Sequence, residues 1–245
     1  VQHIHKFHNG KLVLNDGIRV QTIKLESNIR DNSFFHLPDT VMKQDYTAVT
    51  GNIGLVFTAS RNTTIRSSLS SGFRAPNIDD LAKIFESNST ARQVVVPNAD
   101  IKPEYTYNMD ISVSQRLFKK LNVELTGFYT LFRNGLVKAP YRLNGKDSIL
   151  YNGVLCQVLS TQNSNSAYLY GFTAGVNTDN IHGFMFSSTV SYSYGRFKTD
   201  DSQLSSVYEK QPNGEYLLVK RYVSSKPLDH NPPLISRSAI SYTHR

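Results

Sequence analysis

Apolar and polar residues alternate, one for one, along most of this chain. From Tyr105 the odd positions read Tyr105, Tyr107, Met109, Ile111 and Val113, with Thr106, Asn108, Asp110 and Ser112 between them. Leu121, Val123, Leu125, Gly127, Tyr129 and Leu131 then alternate with Asn122, Glu124, Thr126 and Thr130, Phe128 being the exception. A period of two marks a β-strand with one apolar and one polar face. The pattern continues through 47–58, 63–73, 170–178 and 184–195, and more weakly through 11–26 and 234–242. Helical spacing is confined to Ile78, Leu81, Ala82 and Phe85. The chain reads as all-β and antiparallel, with eight strands countable in this way.

Strand length and loop order narrow the architecture. The alternating tracts run to about a dozen residues, against about five or six for globular strands. That length suits a tilted membrane-crossing strand of about 9–11 residues plus extensions. Short connections fall at 60–62, 118–120 and 179–183, and long ones at 28–43, 74–103, 134–167 and 196–231. Tight turns at one end and long loops at the other are the arrangement of an outer-membrane barrel. Periodicity alone allows two covers for the apolar side: lipid around a wet interior, or a second sheet in a soluble sandwich. A sandwich has no physical reason to gather every long loop at one end. Aromatics near strand ends (Tyr105, Tyr107, Phe132, Tyr170, Phe172, Phe184, Phe186, Tyr192 and Tyr194) are placed for two interfacial girdles.

Composition removes other classes. Mean hydropathy is −0.35 and no apolar run reaches ten residues, so no helix spans a bilayer, which takes about 20. A barrel strand escapes that test because half its residues are polar. The single Cys156 excludes a disulfide framework and a multi-cysteine zinc site. With 14 Tyr and 13 Phe, disorder is not expected. The net charge of +8 is spread out, its longest basic runs being Lys119-Lys120 and Lys220-Arg221. No nucleic-acid partner is expected from so scattered a charge. No charged-then-apolar leader opens the chain, which fits a cytoplasmic protein or one whose true start lies elsewhere.

One stretch is more specific. Ser70-Ser71-Gly72-Phe73-Arg74-Ala75-Pro76-Asn77 closes a strand, and Val96-Pro97-Asn98-Ala99-Asp100-Ile101-Lys102-Pro103-Glu104 opens the next. The pair resembles the FRAP-like and NPxLKPE-like boxes that flank an extracellular loop in TonB-dependent outer-membrane receptors. Gly17-Ile18-Arg19 and Asn231-Pro232-Pro233 are similar to the same family, so the resemblance covers nearly the whole chain. Val96 and Ala99 depart from the second box. The residues also make local sense. Pro76 stops strand pairing, Asn77 is placed to cap a short helix at 78–85, and Pro103 presets re-entry. Phe73, Arg74, Ala75, Pro76, Asn98, Lys102, Pro103 and Glu104 are expected to be structural, with Arg74 and Glu104 bracing the two ends of the loop.

The resemblance implies residues 1–245 as part of one barrel domain of roughly 22 strands, with plug and barrel ends absent; the chain stops at Arg245 rather than at an aromatic. It implies a bacterial outer-membrane receptor that imports a scarce, bulky nutrient, such as a ferric siderophore or other metal chelate, energised by TonB through a plug segment. Lipid and lipopolysaccharide would surround it. A soluble carbohydrate-binding sandwich and a passive porin are the alternatives. Haem ligation from the boxed loop is not expected, since 77–95 contain no His.

No catalytic motif is present: there is no G-x-S-x-G, H-E-x-x-H or P-loop. An enzyme is not expected, nor a cofactor. His3, His5 and His8 are read as a solvated strand end, with no Asp within five residues to complete a metal site. Asp200-Asp201 with Glu209 match no calcium loop. Asn62-Thr63-Thr64 and Asn88-Ser89-Thr90 would be glycosylation sequons only in a eukaryotic secretory setting. Lys138, Tyr141 and Arg142, in a long connection, are the candidate ligand contacts, because arginine suits carboxylate or catecholate oxygens.

Overall fold

A computed structural model describes residues 1–81, 85–88, 92–163, 166–199, 204–228 and 231–244. In chain order the elements are β1 (Gln2–Phe7), β2 (Leu12–Asn28), β3 (Val41–Ser60), β4 (Thr63–Arg74) and α1 (Ile78–Leu81). β5 (Phe85–Asn88) and β6 (Gln93–Val96) precede β7 (Glu104–Leu117) and β8 (Leu121–Arg133). β9 (Leu136–Pro140), β10 (Ser148–Tyr151) and β11 (Val154–Asn163) precede β12 (Ser166–Thr178) and β13 (Phe184–Lys198). β14 (Leu204–Lys210), β15 (Tyr216–Tyr222), β16 (Ser225–Pro227) and β17 (Leu234–Tyr242) finish the chain.

A ten-stranded antiparallel sheet dominates, in the order β1-β2-β3-β4-β7-β8-β12-β13-β16, with β17 also on β13. Eight alternating tracts thus become ten strands, because β1 and the three-residue β16 are too short to announce themselves. The long connections are not structureless. Two of them supply a second sheet, in which β11 pairs β6 in parallel and β9 and β10 in antiparallel fashion, while β5 extends β6. β14 and β15 form a hairpin of their own.

The short helix is also shorter than its sequence spacing suggests. It ends at Leu81 among the described residues, and Phe85 belongs to β5 instead. Residues 82–84 lie outside the described residues, as do Ser89, Thr90, Asp200, Asp201, His230 and Arg245. Leu81 is 1% exposed and packs with Met42 and Ile101. The described turn, Ile78–Leu81, is held by a buried contact and a cap, since a stretch so short is not stable by itself in water.

Register fixes what each face carries. One row across the sheet is Ile53–Leu69–Met109–Tyr129–Tyr170–Tyr194, and the next is Leu55–Ser67–Ile111–Gly127–Phe172–Tyr192. This face is mostly apolar, and among the described residues nothing covers it: Ile53 is 47% exposed, Leu69 51% and Met109 53%. The sandwich reading fails here, since it needs that face pressed against another sheet. In a barrel the same face is the outward one, meeting hydrocarbon. Phe132, at an even position of β8, faces the other way and leaves the girdle.

The opposite, inward face is polar. Glu124 accepts hydrogen bonds from Ser112 Oγ (3.0 Å) and Arg66 Nη1 (3.4 Å), Ser68 donates to Asp110, and Thr130 donates to Asn108 Oδ1 (2.9 Å). Phe128, the exception to alternation, stands on this face opposite Gly171. A Cβ on Gly171 would lie 2.9 Å from Phe128 Cζ and would overlap the Tyr192 carbonyl oxygen. The aromatic ring occupies space that the glycine leaves vacant.

Beyond the apolar band the two faces exchange character. Along β2 and β3 the outward pairs run Leu14–Leu55, Ile18–Gly51 and Val20–Val49, then become Thr22–Thr47, Lys24–Asp45 and Glu26–Lys43. Over the same upper stretch the inward face turns apolar, with Met42 and Ala48 buried and Leu25 packed beside Met42. The lower part is patterned for lipid outside and water inside, the upper part for water outside and packed loop residues inside. The exchange falls at Val20–Val49, on the long-loop side.

Candidate functional site

The buried core lies at the long-loop end, not between the main strands. Leu37, Val94, Val96, Leu143, Cys156 and Val158 form it, with Val94 and Val158 fully buried. These residues come from three connections, 28–41, 75–103 and 134–165. Ile29, Phe35, Tyr141, Ile149 and Tyr151 pack around them. The β-branched valines of β6 and β11 suit the middle of a sheet covered on one face. The loops thereby condense into a cap rather than lying over the mouth as separate strands of chain.

Main-chain staples fasten the cap to the barrel wall. Gln44 Nε2 (3.2 Å) and Tyr46 Oη (2.8 Å), both on the upper part of β3, donate to the Ile101 carbonyl. Asn163 Oδ1 accepts from the Lys102 amide at 2.7 Å, while its Nδ2 donates to the carbonyls of Lys102 (2.8 Å) and Asn134 (2.7 Å). Asn98 Nδ2 donates to the Thr161 carbonyl at 2.9 Å, and its Oδ1 accepts from the Asp100 amide at 3.0 Å. In the first loop the hydroxyl and amide of Ser33 donate to Asp31 and hold its carboxyl below the usual carboxylate range.

The sequence boxes sit at the foot of this cap. Asn77 and Asp80 cap α1 reciprocally, the Asp80 amide donating to Asn77 Oδ1 (2.9 Å) and the Asn77 amide to Asp80 Oδ2 (3.1 Å). Arg74 and Glu104 face each other in register, yet they do not brace one another. Arg74 Nη2 donates to Asp80 Oδ2 at 2.8 Å, and Glu104 Oε2 accepts from the Leu136 amide at 3.1 Å. The Asp80 carboxylate draws the Arg74 guanidinium to one side, and the backbone amide at the start of β9 draws the Glu104 carboxylate to the other. Phe73 packs its ring 5.3 Å from Tyr105, while Pro76 and Pro103 are buried and Ala75 half-buried. Lys102 contributes its backbone to the Asn163 staple.

The three candidate contact residues are not gathered at one point. Tyr141 is half-buried against the cap core and its amide donates to the Val158 carbonyl at 3.0 Å. Arg142 is exposed beside it, and Lys138 lies on β9 opposite Thr161. Tyr141, Asp39, Asn98 and Asp100 line a cleft of about 20 Å³, room for a water molecule and no more. The staple Asn163 escaped the sequence reading because an Asn at a loop–strand junction carries no pattern of its own.

His3 and His5 are not simply solvated. β1 pairs β2 so that His3 faces Asp16, with His3 Nδ1 3.1 Å from Asp16 Oδ2 and His5 Nε2 3.6 Å from Asp16 Oδ1. Asp16 is remote in sequence and adjacent only through the register. Among the described residues no group of three His, Cys, Asp or Glu is arranged to hold a metal ion.

Residues 2–244 match the family model described as TonB dependent receptor-like, beta-barrel. The chain belongs to that family. No curated protein sequence matches it, whereas solved structures do. The copper transporter OprC aligns with a TM-score of 0.57 at 16% identity, over 76% of this chain and 27% of its own. The Serratia marcescens hemophore receptor HasR, solved with its hemophore HasA and heme, aligns at 0.58 and 13% identity, over 95% of this chain and 38% of its own. The siderophore receptor PirA of Acinetobacter baumannii aligns at 0.52 and 13% identity, over 98% and 46%. At such identities the likeness is one of fold, and the chain spans less than half of each structure. The family and these relatives are receptors and transporters.

Proposed function

We propose that residues 1–245 form part of the barrel of an active importer in the bacterial outer membrane. Its cargo is a scarce, bulky nutrient such as a ferric siderophore or another metal chelate, and its energy comes from TonB acting on a plug segment of the same longer protein. One observation carries this reading: the faces of the β2–β3 ribbon exchange polarity at Val20–Val49, as a wall that leaves lipid for water must. Family membership supports the energised step, because the relatives transport or receive metals and their carriers. The cap supports capture of a large ligand, since three connections are folded together at one end of the sheet. Loops on a rigid scaffold are where binding residues concentrate. The barrel supplies orientation and a hydrated passage, and no covalent step is assigned to it.

The test is uptake in a Gram-negative host carrying the full-length gene. Outer-membrane fractions should contain a heat-modifiable barrel, and cells should accumulate iron from a supplied siderophore panel only when TonB is present. Accumulation that continues undiminished without TonB would identify a passive porin. A protein found wholly in the soluble fraction would overturn the membrane placement.

A further inference from the structure

We infer that Arg61, Lys119 and Lys120 form a site at the short-turn rim for the phosphate of an anionic phospholipid in the periplasmic leaflet. The site rests on the membrane placement proposed above and goes beyond it, naming a selective lipid contact at the end opposite the cap.

Three turns are joined there into one platform. The Arg116 amide donates to the Asn62 carbonyl at 2.8 Å, which ties the end of β7 to the β3–β4 turn. The Asp179 amide donates to the Lys120 carbonyl at 2.8 Å, which ties the β7–β8 turn to the β12–β13 turn. The Arg116 side chain reinforces the second joint, its Nε donating to the Lys119 carbonyl at 2.9 Å and its Nη2 to Asp179. Thr63 stands opposite Gln115, so Arg61 lies beside the strand end that carries Phe118. Across about three strand spacings, about 15 Å in all, the long side chains of Arg61, Lys119 and Lys120 can meet on one headgroup.

The charge at this rim is uncompensated. The turns at 8–11, 60–62, 118–120 and 179–183 carry Lys11, Arg61, Lys119 and Lys120 but a single carboxylate, Asp179, and Arg116 takes it. Arg61, Lys119 and Lys120 are exposed, and among the described residues their side chains have no hydrogen-bond or ion-pair partner. Toward the long-loop end of β2 and β3, by contrast, Lys24 meets Asp45 at 2.9 Å and Lys43 meets Glu26 at 3.1 Å.

The phenylalanine decides between a soluble anion and a lipid. Phe118 is 89% exposed, and Leu117 beside it 37%. On the outward face of β7, Leu117 lies ten residues after Tyr107. At about 3.3 Å per residue and a tilt of about 40°, that stretch rises about 25 Å, the height of the apolar band. The turn therefore stands at headgroup depth. Phe118 and Lys119 also hold left-handed φ values of 49° and 62°, a strain that Asn-Gly would relieve and that is retained where a site needs it. A soluble anion would pair with the cations and leave the ring in water. A phospholipid meets both, its phosphate against the cations and its glycerol and acyl groups against the ring. Phosphatidylglycerol suits the site, because its headgroup has no ammonium to compete for the phosphate.

The full-length receptor, purified as a heat-modifiable barrel in detergent, is titrated with phosphatidylglycerol and with phosphatidylcholine of the same acyl chains. Bound lipid is counted by native mass spectrometry. Phosphatidylglycerol should bind at least about fivefold tighter, as one cation at an anionic headgroup requires. Arg61→Gln with Lys119→Gln and Lys120→Gln should abolish the difference. Arg61→Lys with Lys119→Arg and Lys120→Arg should retain it, which separates charge from loss of fold. Lys146→Gln with Lys198→Gln, at the long-loop end, should leave it unchanged. Excess glycerol phosphate should not displace the lipid. Equal binding of the two lipids, a preference that survives in the first variant or is lost in the second or third, or displacement by glycerol phosphate would each overturn the assignment. A receptor recovered as a water-soluble protein would instead sink the placement on which the site rests.

Discussion

Asn163 does the work of a cross-link with one amide. It satisfies both backbone groups of Lys102 and the carbonyl of Asn134, so the second and third connections share one anchor. Three neutral hydrogen bonds at about 1 kcal/mol each make Asn163→Ala a loss of about 2–3 kcal/mol, local to the cap. Hydrogen exchange should quicken at residues 98–104 and 134–138 and stay unchanged in β7 and β8. Uniform quickening of both strands would show a role in the barrel itself. A second residue-level case lies at the opposite end. The turn between β7 and β8 places Phe118 (φ 49) and Lys119 (φ 62) in the left-handed region, closed by the Lys120 amide donating to the Leu117 carbonyl at 3.2 Å. Side chains there cost about 1–2 kcal/mol per residue, and Asn-Gly is the favoured pair. Phe118→Asn with Lys119→Gly should therefore raise the denaturant midpoint of the folded barrel in lipid. An unchanged or lower midpoint would mean that the exposed Phe118 ring gains from the membrane interface as much as the strained turn costs.

The cap is the element whose independence can be tested. Its core is small and contains a natural reporter, Cys156, which is 1% exposed. Val158 is fully buried beside it, and truncating a buried side chain to Ala costs about 2–4 kcal/mol once the cavity is counted. Val158→Ala should open the cap and let a membrane-impermeant maleimide reach Cys156, while heat-modifiable migration of the barrel stays as before. Labelling that is already complete in the unaltered protein would show the cap to be open. This element also shows where sequence reading stopped. Tracts such as 105–113 and 121–131 were legible because lipid and water impose a strict period of two on every strand between them. The upper parts of β2 and β3 were less so, since their apolar side switches from outward to inward and blurs the period. The β10–β11 hairpin turns at Asn152-Gly153, a local signal that the alternation did not reveal. β6 and β11, by contrast, are four and ten residues long and pair across two connections remote in sequence, so no local pattern joins them. For the same reason the boxes at 73–76 and 98–104 were recognisable as motifs, while their partners, Asp80, Leu136 and Asn163, were not.

At the scale of the whole molecule, the outward face tests the membrane placement itself. Among the described residues it bears one carboxylate within the apolar band, that of Asp16, in register with Ile53 at mid-band and flanked by Leu14 and Ile18. His3 and His5 stand against it on β1. If hydrocarbon covers this face, an unpaired carboxylate there is penalised, and the imidazoles reduce the penalty by donating to it. Two variants should then move stability in opposite directions. Asp16→Leu removes the charge and should stabilise the folded barrel in lipid vesicles by about 1 kcal/mol, below the about 2–4 kcal/mol that lysine or arginine costs at the midplane. His3→Leu with His5→Leu leaves the carboxylate alone and should destabilise by a similar amount. The comparison is made by urea titration of the full-length receptor in bilayers of matched thickness. In water the same exposed groups would contribute within about 0.5 kcal/mol either way. Opposite signs therefore require lipid at Asp16, and two null results would place that stretch of β1 and β2 in solvent, moving the band away from Ile53.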